Sequence, residues 1–348
     1  MFSFGVFCGN DASRSDHCGH WREIQHHCRR ADGRQDQRPD RSQTGVYKET
    51  LVWPAIHGIS LVAEQGPDKT TIEGDGRRSV IHIEGKLKWD TIIEGFTIKG
   101  GGAGYERGCF GAGLNIVNAS PTIRNCRITE NTARPYRGTG GVFLWNSRAI
   151  LEHNEIVKNH YQAERLHGGG VCVWGGMPWL RFNRIENNAG EEPSYFTRGG
   201  GVRLQGSQAR VVGNVIQGNI ATSVGAALYC GQSDKSCIFA NEIVQNRSLG
   251  PSAGAVAVEP NSFPLIGGER STEPNAIHDN MQIWGAAEKK EEKLRNLSPH
   301  FLGTLNQAFG ANDWGGMDEE SLGKQLENIA QRPKAAAKLQ SPTDAGIK

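Results

Sequence analysis

The amino-acid sequence predicts an all-β fold, a right-handed parallel β-helix of about seven to eight coils with roughly 30 residues each. Three observations predict it: an asparagine-centred motif that recurs at near-constant intervals, glycine-led apolar segments in step with it, and 46 glycines in 348 residues. One such unit cannot bury its own apolar face. Stacking the units about 4.8 Å apart would bury a continuous column of Val, Leu and Ile.

The first element of the repeat is Asn-x-Ile-x-x-Asn. Its copies are NCRITEN (125–131), NEIVKN (154–159), NRIENN (183–188), NVIQGN (214–219), NEIVQN (241–246) and NAIHDN (275–280), and GFTIKGG (95–101) is an earlier, glycine-substituted copy. The central isoleucines are separated by 30, 28, 29, 31, 27 and 34 residues. We interpret the asparagines as scaffold, because Asn tolerates left-handed turns and stacks as a hydrogen-bonded ladder. The predicted ladder residues are Asn125, Asn131, Asn154, Asn159, Asn183, Asn188, Asn214, Asn219, Asn241 and Asn246.

The second element is a glycine-led strand. Its copies are AGLNIV (112–117), GGVFLW (140–145), GGVCVW (169–174), GGVRLQ (200–205), GAALYC (225–230) and GAVAVE (254–259). If Val142 and Leu144 point inward, Phe143 and Trp145 point outward, since neighbouring strand residues alternate. The same outer positions in adjacent coils hold Asn115, Val117, Cys172, Trp174, Arg203, Gln205 and Tyr229.

The outward aromatic ladder is the predicted ligand site, because stacked aromatics can hold a sugar ring or a peptide. Variable loops rich in aromatic and basic residues precede these strands and would flank one side of the ladder. The candidate ligand-binding residues are Phe143, Trp145, Trp174, Arg203, Tyr229, Tyr136, Tyr161 and Tyr195. The alternative is that the loops fold over the strand and bury Trp145 and Trp174 in a second small hydrophobic layer.

Past residue 280 the sequence changes character, and 281–332 is predicted to be a helical extension. AAEKKEEKLRNL (286–297) is typical of a solvated helix, while FLGTLNQAF (301–309) and LGKQLENI (322–329) each place apolar residues on one helical face. We expect these helices to cap the open end of the solenoid, with a partner-binding tail as the alternative. Residues 333–348 are predicted to be disordered.

The first 45 residues do not fit the β-helix, and we predict them to be non-native or disordered. They contain neither Leu nor Lys, and their scattered His and Cys residues lack the spacing of a zinc site. Codons compatible with residues 24–45, read one nucleotide later, can spell an amphipathic helix, a strand and a Pro-Gly turn. The hypothesis is a frameshift upstream of Gly45, with the β-helix itself predicted over 46–280.

Bulk properties exclude several classes of function. Lys plus Arg (39) nearly balances Asp plus Glu (37), so neither nucleic acid nor an anionic membrane is an expected partner. No apolar run suits a membrane helix, and no secretory signal is evident. No phosphate-binding loop or metal motif occurs, so we expect neither cofactor nor metal. Eight irregularly spaced cysteines favour a reducing, cytoplasmic location, with secretion possible if the true start of the chain differs.

Three sequence features together, GVYKETLVW (45–53), ISLVAEQGPDKTTIEGDG (59–76) and the asparagine coils, resemble the right-handed β-helix repeats of the pectin-lyase-like superfamily. The resemblance covers about 46–280 and is closest to the non-enzymatic repeats of F-box only proteins and bacterial β-helix proteins. It implies the fold but not the activity, because the superfamily includes lyases, hydrolases, epimerases and binding scaffolds.

The carboxylate sets that the enzymatic branches require are missing from the sequence. Five dispersed aspartates lie between 46 and 280 (Asp68, Asp75, Asp90, Asp234, Asp279). No pair matches the two carboxylates of a glycosidase. We therefore expect a non-catalytic module that binds a protein or carbohydrate partner. The alternatives are a carbohydrate-active enzyme (polysaccharide lyase, hydrolase or epimerase) with an atypical site, and assembly through the solenoid ends.

Overall fold

The fold is a parallel β-solenoid, seen in a computed structural model that describes residues 44–103, 110–133, 138–161, 168–188, 197–249, 255–259, 262–267, 275–278, 280–282 and 295–296. Every regular element within these ranges is a β-strand. The strands form three long parallel sheets, which we call faces 1, 2 and 3, together with two short sheets. The predicted all-β right-handed parallel β-helix is confirmed.

Face 1 carries the glycine-led strands, which run in the order in which they occur in the chain. They are Leu51–Val52, Ile81–Glu84, Leu114–Val117, Val142–Ser147, Val171–Gly176, Val202–Gln205, Leu228–Gly231 and Val256–Val258. Face 2 consists of Ser60–Val62, Ile92–Glu94, Thr122–Arg124, Ile150–Glu152, Trp179–Arg181, Arg210–Val212, Cys237–Phe239 and Leu265–Ile266.

Face 3 carries the Asn-x-Ile motif. Its strands are Gly45–Lys48, Thr70–Glu73, Thr97–Lys99, Arg127–Thr129, Glu155–Val157, Arg184–Glu186, Val215–Gln217, Glu242–Val244 and Ala276–His278. Two short sheets follow face 3: Gly102–Ala103, Thr132–Ala133 and His160–Tyr161 form one, and Ile220–Ala221, Arg247–Ser248, Met281–Gln282 and Arg295–Asn296 form the other.

The core is a set of apolar columns that run along the solenoid axis. On face 3, the inward column is Ile72, Ile98, Ile128, Ile156, Ile185, Ile216, Ile243 and Ile277, each at most 2% exposed. Faces 1 and 2 supply matching columns of Val, Leu and Ile. The near-constant isoleucine interval in the sequence is therefore the register of one parallel sheet.

The asparagines form two buried ladders at the corners of the solenoid. The ladder between faces 2 and 3 contains Asn154, Asn183, Asn214, Asn241 and Asn275, and the ladder after face 3 contains Asn131, Asn159, Asn188, Asn219, Asn246 and Asn280. Each Nδ2 donates to the Oδ1 of the next coil at 2.9–3.0 Å. The left-handed turn, however, belongs to the residue before the ladder asparagine wherever that preceding residue is described, for example His153 (φ 54°) before Asn154. Tolerance of that conformation is therefore not why the ladder positions are Asn.

Asn125 does not belong to either ladder, which corrects the sequence prediction. It is exposed, occupies the left-handed turn (φ 53°) and donates to Glu94 Oε1 at 3.0 Å. The ladder position falls on Cys126, whose amide donates to Asn154 Oδ1 at 3.0 Å. The spacing in the sequence shows why: the ladder residue lies two positions before the central isoleucine, and Asn125 lies three before Ile128.

Coil length varies mainly at one corner, between face 3 and face 1. The two ladder asparagines of a coil are five residues apart in every case, from Asn154 and Asn159 to Asn275 and Asn280. By contrast, nine residues separate Asn219 from the inward Leu228, and fourteen separate Asn188 from the inward Val202. The predicted variable loops therefore enter face 1 from a single corner.

The chain ends lie largely outside the described residues. The proposed frameshifted segment before Gly45 lies there, as do the predicted helices at 301–309 and 322–329 and the tail from 333. The helix predicted over 286–297 is wrong at its end, because Arg295–Asn296 pairs antiparallel with Met281–Gln282. The described part of the chain contains no helix long and apolar enough to cross a membrane.

Candidate functional site

The outward side of face 1 carries two columns of side chains in register. The first column is His82, Asn115, Phe143, Cys172, Arg203, Tyr229 and Ala257. The second is Glu84, Val117, Trp145, Trp174, Gln205 and Gly231. The strand alternation predicted from the sequence thus brings five of the eight candidate residues onto one surface.

The two tryptophans of the second column form a stacked pair. Trp145 and Trp174 are directly paired in register, with ring centroids 5.8 Å apart and planes inclined by 18°. Trp145 keeps 42% of its surface exposed, and Trp174 is half-buried. Phe110 packs against the pair, with its centroid 5.9 Å from that of Trp145. The pair is an apolar surface that remains accessible to a ligand.

The first column is buried, which corrects the expectation of a solvent-facing ladder. Phe143, Cys172 and Tyr229 are 0% exposed, and Arg203 is 1% exposed. Phe110 lies 5.2 Å from Phe143, centroid to centroid, so a second apolar layer does exist on the outside of face 1. This layer covers Phe143 and leaves Trp145 accessible, whereas the alternative in the sequence analysis had both tryptophans covered.

A charged network stands at the far end of the first column. The Arg203 guanidinium lies over the Tyr229 ring at 5.1 Å, and burial lowers the pKa of Arg203. The Tyr229 hydroxyl donates to Glu259, and Arg198 Nη1 contacts both groups, at 3.0 Å from Tyr229 and 3.1 Å from Glu259. Burial, followed by the hydrogen bond to Glu259, raises the pKa of Tyr229. The Tyr229 hydroxyl stays protonated, and Arg198 compensates the charge of Glu259. We therefore interpret this network as structural.

Of the three tyrosines predicted from the loops, Tyr161 does not join this surface. Tyr161 is 1% exposed and packs with Ala103, Ala112 and Ala133 in a separate small cluster. Its strand, His160–Tyr161, continues face 3 at the corner, so its side chain serves that cluster. Tyr136 and Tyr195 lie outside the described residues.

The sequence analysis placed Asn115 on the outward column but assigned it no role. Asn115 is fully buried and accepts hydrogen bonds from the amides of Phe110 and Gly111 at 3.2 and 3.3 Å. Its Nδ2 lies 2.8 Å from His82 Nδ1. Asn115 therefore ties the incoming loop to the strand and places Phe110 beside the tryptophans. Its position on an outward column next to a loop was the available signal.

The described carboxylates of face 1 do not converge on the tryptophan pair. Glu84 begins the second column and Glu259 follows its end, six register steps apart, or roughly 29 Å at 4.8 Å per step. A glycosidase needs two carboxylates within about 10 Å. Within the described residues, no group of three or more His, Cys, Asp or Glu side chains is placed to share a metal ion.

Comparison with known proteins identifies the fold. A family model described as the right-handed β-helix region matches residues 68–266, more than half of the chain. Comparison with curated proteins and with solved structures finds no match.

Proposed function

The chain belongs to the right-handed β-helix family, and from that premise we propose that it is a non-catalytic module that binds a protein or carbohydrate partner at Trp145 and Trp174. The proposal rests on the stacked pair of Trp145 and Trp174, which remains accessible on the outward side of face 1 while the first column beside it is buried. Such a scaffold specifies no chemistry of its own, so function depends on the side chains it displays.

The tryptophan pair has the properties of a binding hot spot. Partly exposed Trp residues bring large apolar area at low entropic cost, and hot spots are enriched in Trp. Parallel-strand pairing on one sheet and the packing of Phe110 hold the two rings in place before any partner arrives. Preorganisation of this kind reduces the entropic cost of association.

The ring geometry favours a protein over a sugar as the partner. Since Trp145 and Trp174 stack on each other, one face of each ring is already occupied. A sugar ring needs an open aromatic face, whereas aliphatic side chains also pack against ring edges. We therefore place an apolar protein segment first among partners and a glycan second.

The test compares binding by three chains to immobilised glycan and peptide panels. Trp145→Ala combined with Trp174→Ala is expected to weaken binding by about 30-fold or more, the equivalent of about 2 kcal/mol for a hot spot. Trp89→Ala is the matched control, because Trp89 is 67% exposed in the turn between faces 1 and 2, two coils before Trp145. Thermal unfolding of all three chains shows whether the fold is intact.

Two results would contradict the proposal. One is a ligand that binds the double variant as tightly as the wild type. The other is release of new reducing ends from a polysaccharide in the panel by the wild-type chain, which would favour the enzymatic alternative.

A further inference from the structure

Face 2 changes character along its length. In its first half, one outward column alternates in charge through Glu94, Arg124, Glu152 and Arg181. Arg124 pairs with Glu94 at 2.7 Å, and Arg181 pairs with Glu152 at 2.6 Å. In the second half, Val212 and Phe239 continue the same column. The ion-paired surface therefore ends at Arg181 and an apolar one begins.

This second half forms a largely apolar surface, which we call the apolar strip: Trp179, Phe182, Val212, Phe239 and Leu265. Trp179 and Leu265 are the ends of one outward column, with Arg210 and Cys237 between them. Phe182 is 51% exposed, and the other four are half-buried although they point away from the core. Phe182 also adopts the left-handed conformation (φ 56°), where its ring stacks on His153 with centroids 5.3 Å apart. A bulky aromatic residue rarely occupies such a position without a packing reason.

One positive charge, Arg210, lies within the strip, and a second, Arg181, lies at its start. The Arg210 guanidinium lies 4.7 Å from the Trp179 ring centroid, and that of Arg181 lies 5.5 Å from it. Arg181 is neutralised by Glu152, whereas Arg210 makes no ion pair with any acidic side chain of the described chain. Lys235, two residues before the Cys237–Phe239 strand, is also exposed. An occupant of the strip should therefore combine an apolar side with acidic residues.

We propose that residues 318–329 of this chain pack as a helix along the apolar strip. The segment reads DEESLGKQLENI and places Leu322, Leu326 and Ile329 on one helical face, after the acidic run 318–320. Consecutive apolar side chains at i, i+4 and i+7 lie about 4.5–6 Å apart along a helix axis. Successive coils lie about 4.8 Å apart, so a helix parallel to the solenoid axis presents one apolar side chain to each coil.

The length of chain allows this docking. Asn296 ends the last described strand, and the 22 residues from there to Asp318 can span up to about 70 Å when extended. The strip begins three coil steps before the last face 2 strand, roughly 14 Å along the axis. The linker is therefore long enough to turn back and reach Trp179.

The size of the strip favours one helix over a second folded copy. Three coil steps by the width of one sheet face give an area of roughly 140 Å². A stable dimer needs about 800 Å² from each partner. Two turns of an amphipathic helix match the smaller figure.

Cys237 provides a direct readout, because its half-buried thiol lies on the same outward column as Trp179 and Leu265. The experiment measures the rate of alkylation of Cys237 by iodoacetamide in the full-length chain, by mass spectrometry of its peptide. Leu322→Asp with Leu326→Asp is expected to raise this rate about tenfold, which corresponds to 1.4 kcal/mol of lost docking free energy. Fully buried Cys230 is the internal reference.

The matched control is Ser321→Asp with Asn328→Asp, which adds the same charge to the polar side of the same segment. It is expected to leave the Cys237 rate within about twofold of wild type. An unchanged rate in the leucine variant would overturn the proposal. So would a parallel rise at Cys230, which would show loss of the fold, or a wild-type rate that rises on dilution, which would assign the strip to a second copy.

Discussion

Replacing Asn188 by Ala should be one of the most destabilising single changes in this protein that removes no apolar group. Asn188 lies within the ladder after face 3 and is 0% exposed. Its Oδ1 accepts from the Asn159 amide at 3.1 Å and from Asn159 Nδ2 at 3.0 Å. Its Nδ2 donates to Asn219 Oδ1 at 3.0 Å and to Ile156 O at 2.9 Å.

The loss in the free energy of unfolding can be worked out from the hydrogen bonds that each partner of Asn188 keeps. Asn159 Nδ2 still donates to Ile128 O, and Asn219 Oδ1 still accepts from the Asn188 amide. The Asn159 amide loses its ladder acceptor in a site that water does not reach. A stranded buried donor costs about 1–3 kcal/mol and each further lost hydrogen bond about 1 kcal/mol, so the free energy of unfolding should fall by about 3 kcal/mol.

Urea unfolding followed by circular dichroism measures this loss, and Asn187→Gly is the matched control. Asn187 has the same side chain one position earlier, is exposed and adopts a φ of 52°, so glycine there removes an amide without stranding a buried group. The control should change stability by less than about 1 kcal/mol. Equal losses in the two variants would refute the ladder account.

Three further predictions concern single positions. Cys126→Asn should raise the free energy of unfolding by about 1 kcal/mol in urea titrations, because it extends the ladder by one coil; a lower stability would count against it. Asp234 accepts from Ser207 and Ser236 at 2.6–3.0 Å, but burial raises its pKa, so its charged form opposes folding. The free-energy penalty of the charged Asp234 appears as pH rises above the pKa of this group in the unfolded chain, near 3.8. The melting temperature of Asp234→Asn relative to wild type should therefore increase from pH 4 to pH 7, and a constant difference would contradict this. Gly201→Ala places a Cβ 2.7 Å from Ala227 O and should lower stability by about 2–3 kcal/mol, against about 1 kcal/mol for Gly175→Ala, where the φ is positive but no atom lies within 4 Å; thermal unfolding ranks the two, and the reverse order would be inconsistent with the packing.

The sequence was sufficient for the fold because the fold is periodic. The isoleucine interval is the register of face 3, and the alternation in GGVFLW correctly directed Val142 and Leu144 inward. Alternation also placed Phe143 and Trp145 on the outside of the strand. Alternation does not predict which of these two residues is buried. Phe143 is buried and Trp145 stays accessible because of the position of Phe110, which comes from a loop of irregular sequence.

The candidate site was less predictable for the same reason. Arg203 and Tyr229 are outward by position yet buried. Of their partners, Arg198 comes from a loop outside the repeat, and Glu259 is the last residue of the GAVAVE copy, where the other copies have no acidic residue. Asn125 was misplaced because a motif was matched by its first letter, while the hydrogen bonds select by distance from the isoleucine. Periodicity determines which way a side chain points, whereas its accessibility depends on neighbours that do not repeat.

The concentration of length variation at one corner gives the molecule one place that can accept insertions and a remainder that cannot. A one-residue insertion within a face, or between the two ladders, would turn every later side chain of that strand to the opposite side and expose its core column. An insertion between Asn188 and Val202 changes only the length of chain that enters face 1. New segments can therefore be tried beside Trp145 and Trp174 without any correction elsewhere, and selection can act on what the surface binds while the ladders stay fixed.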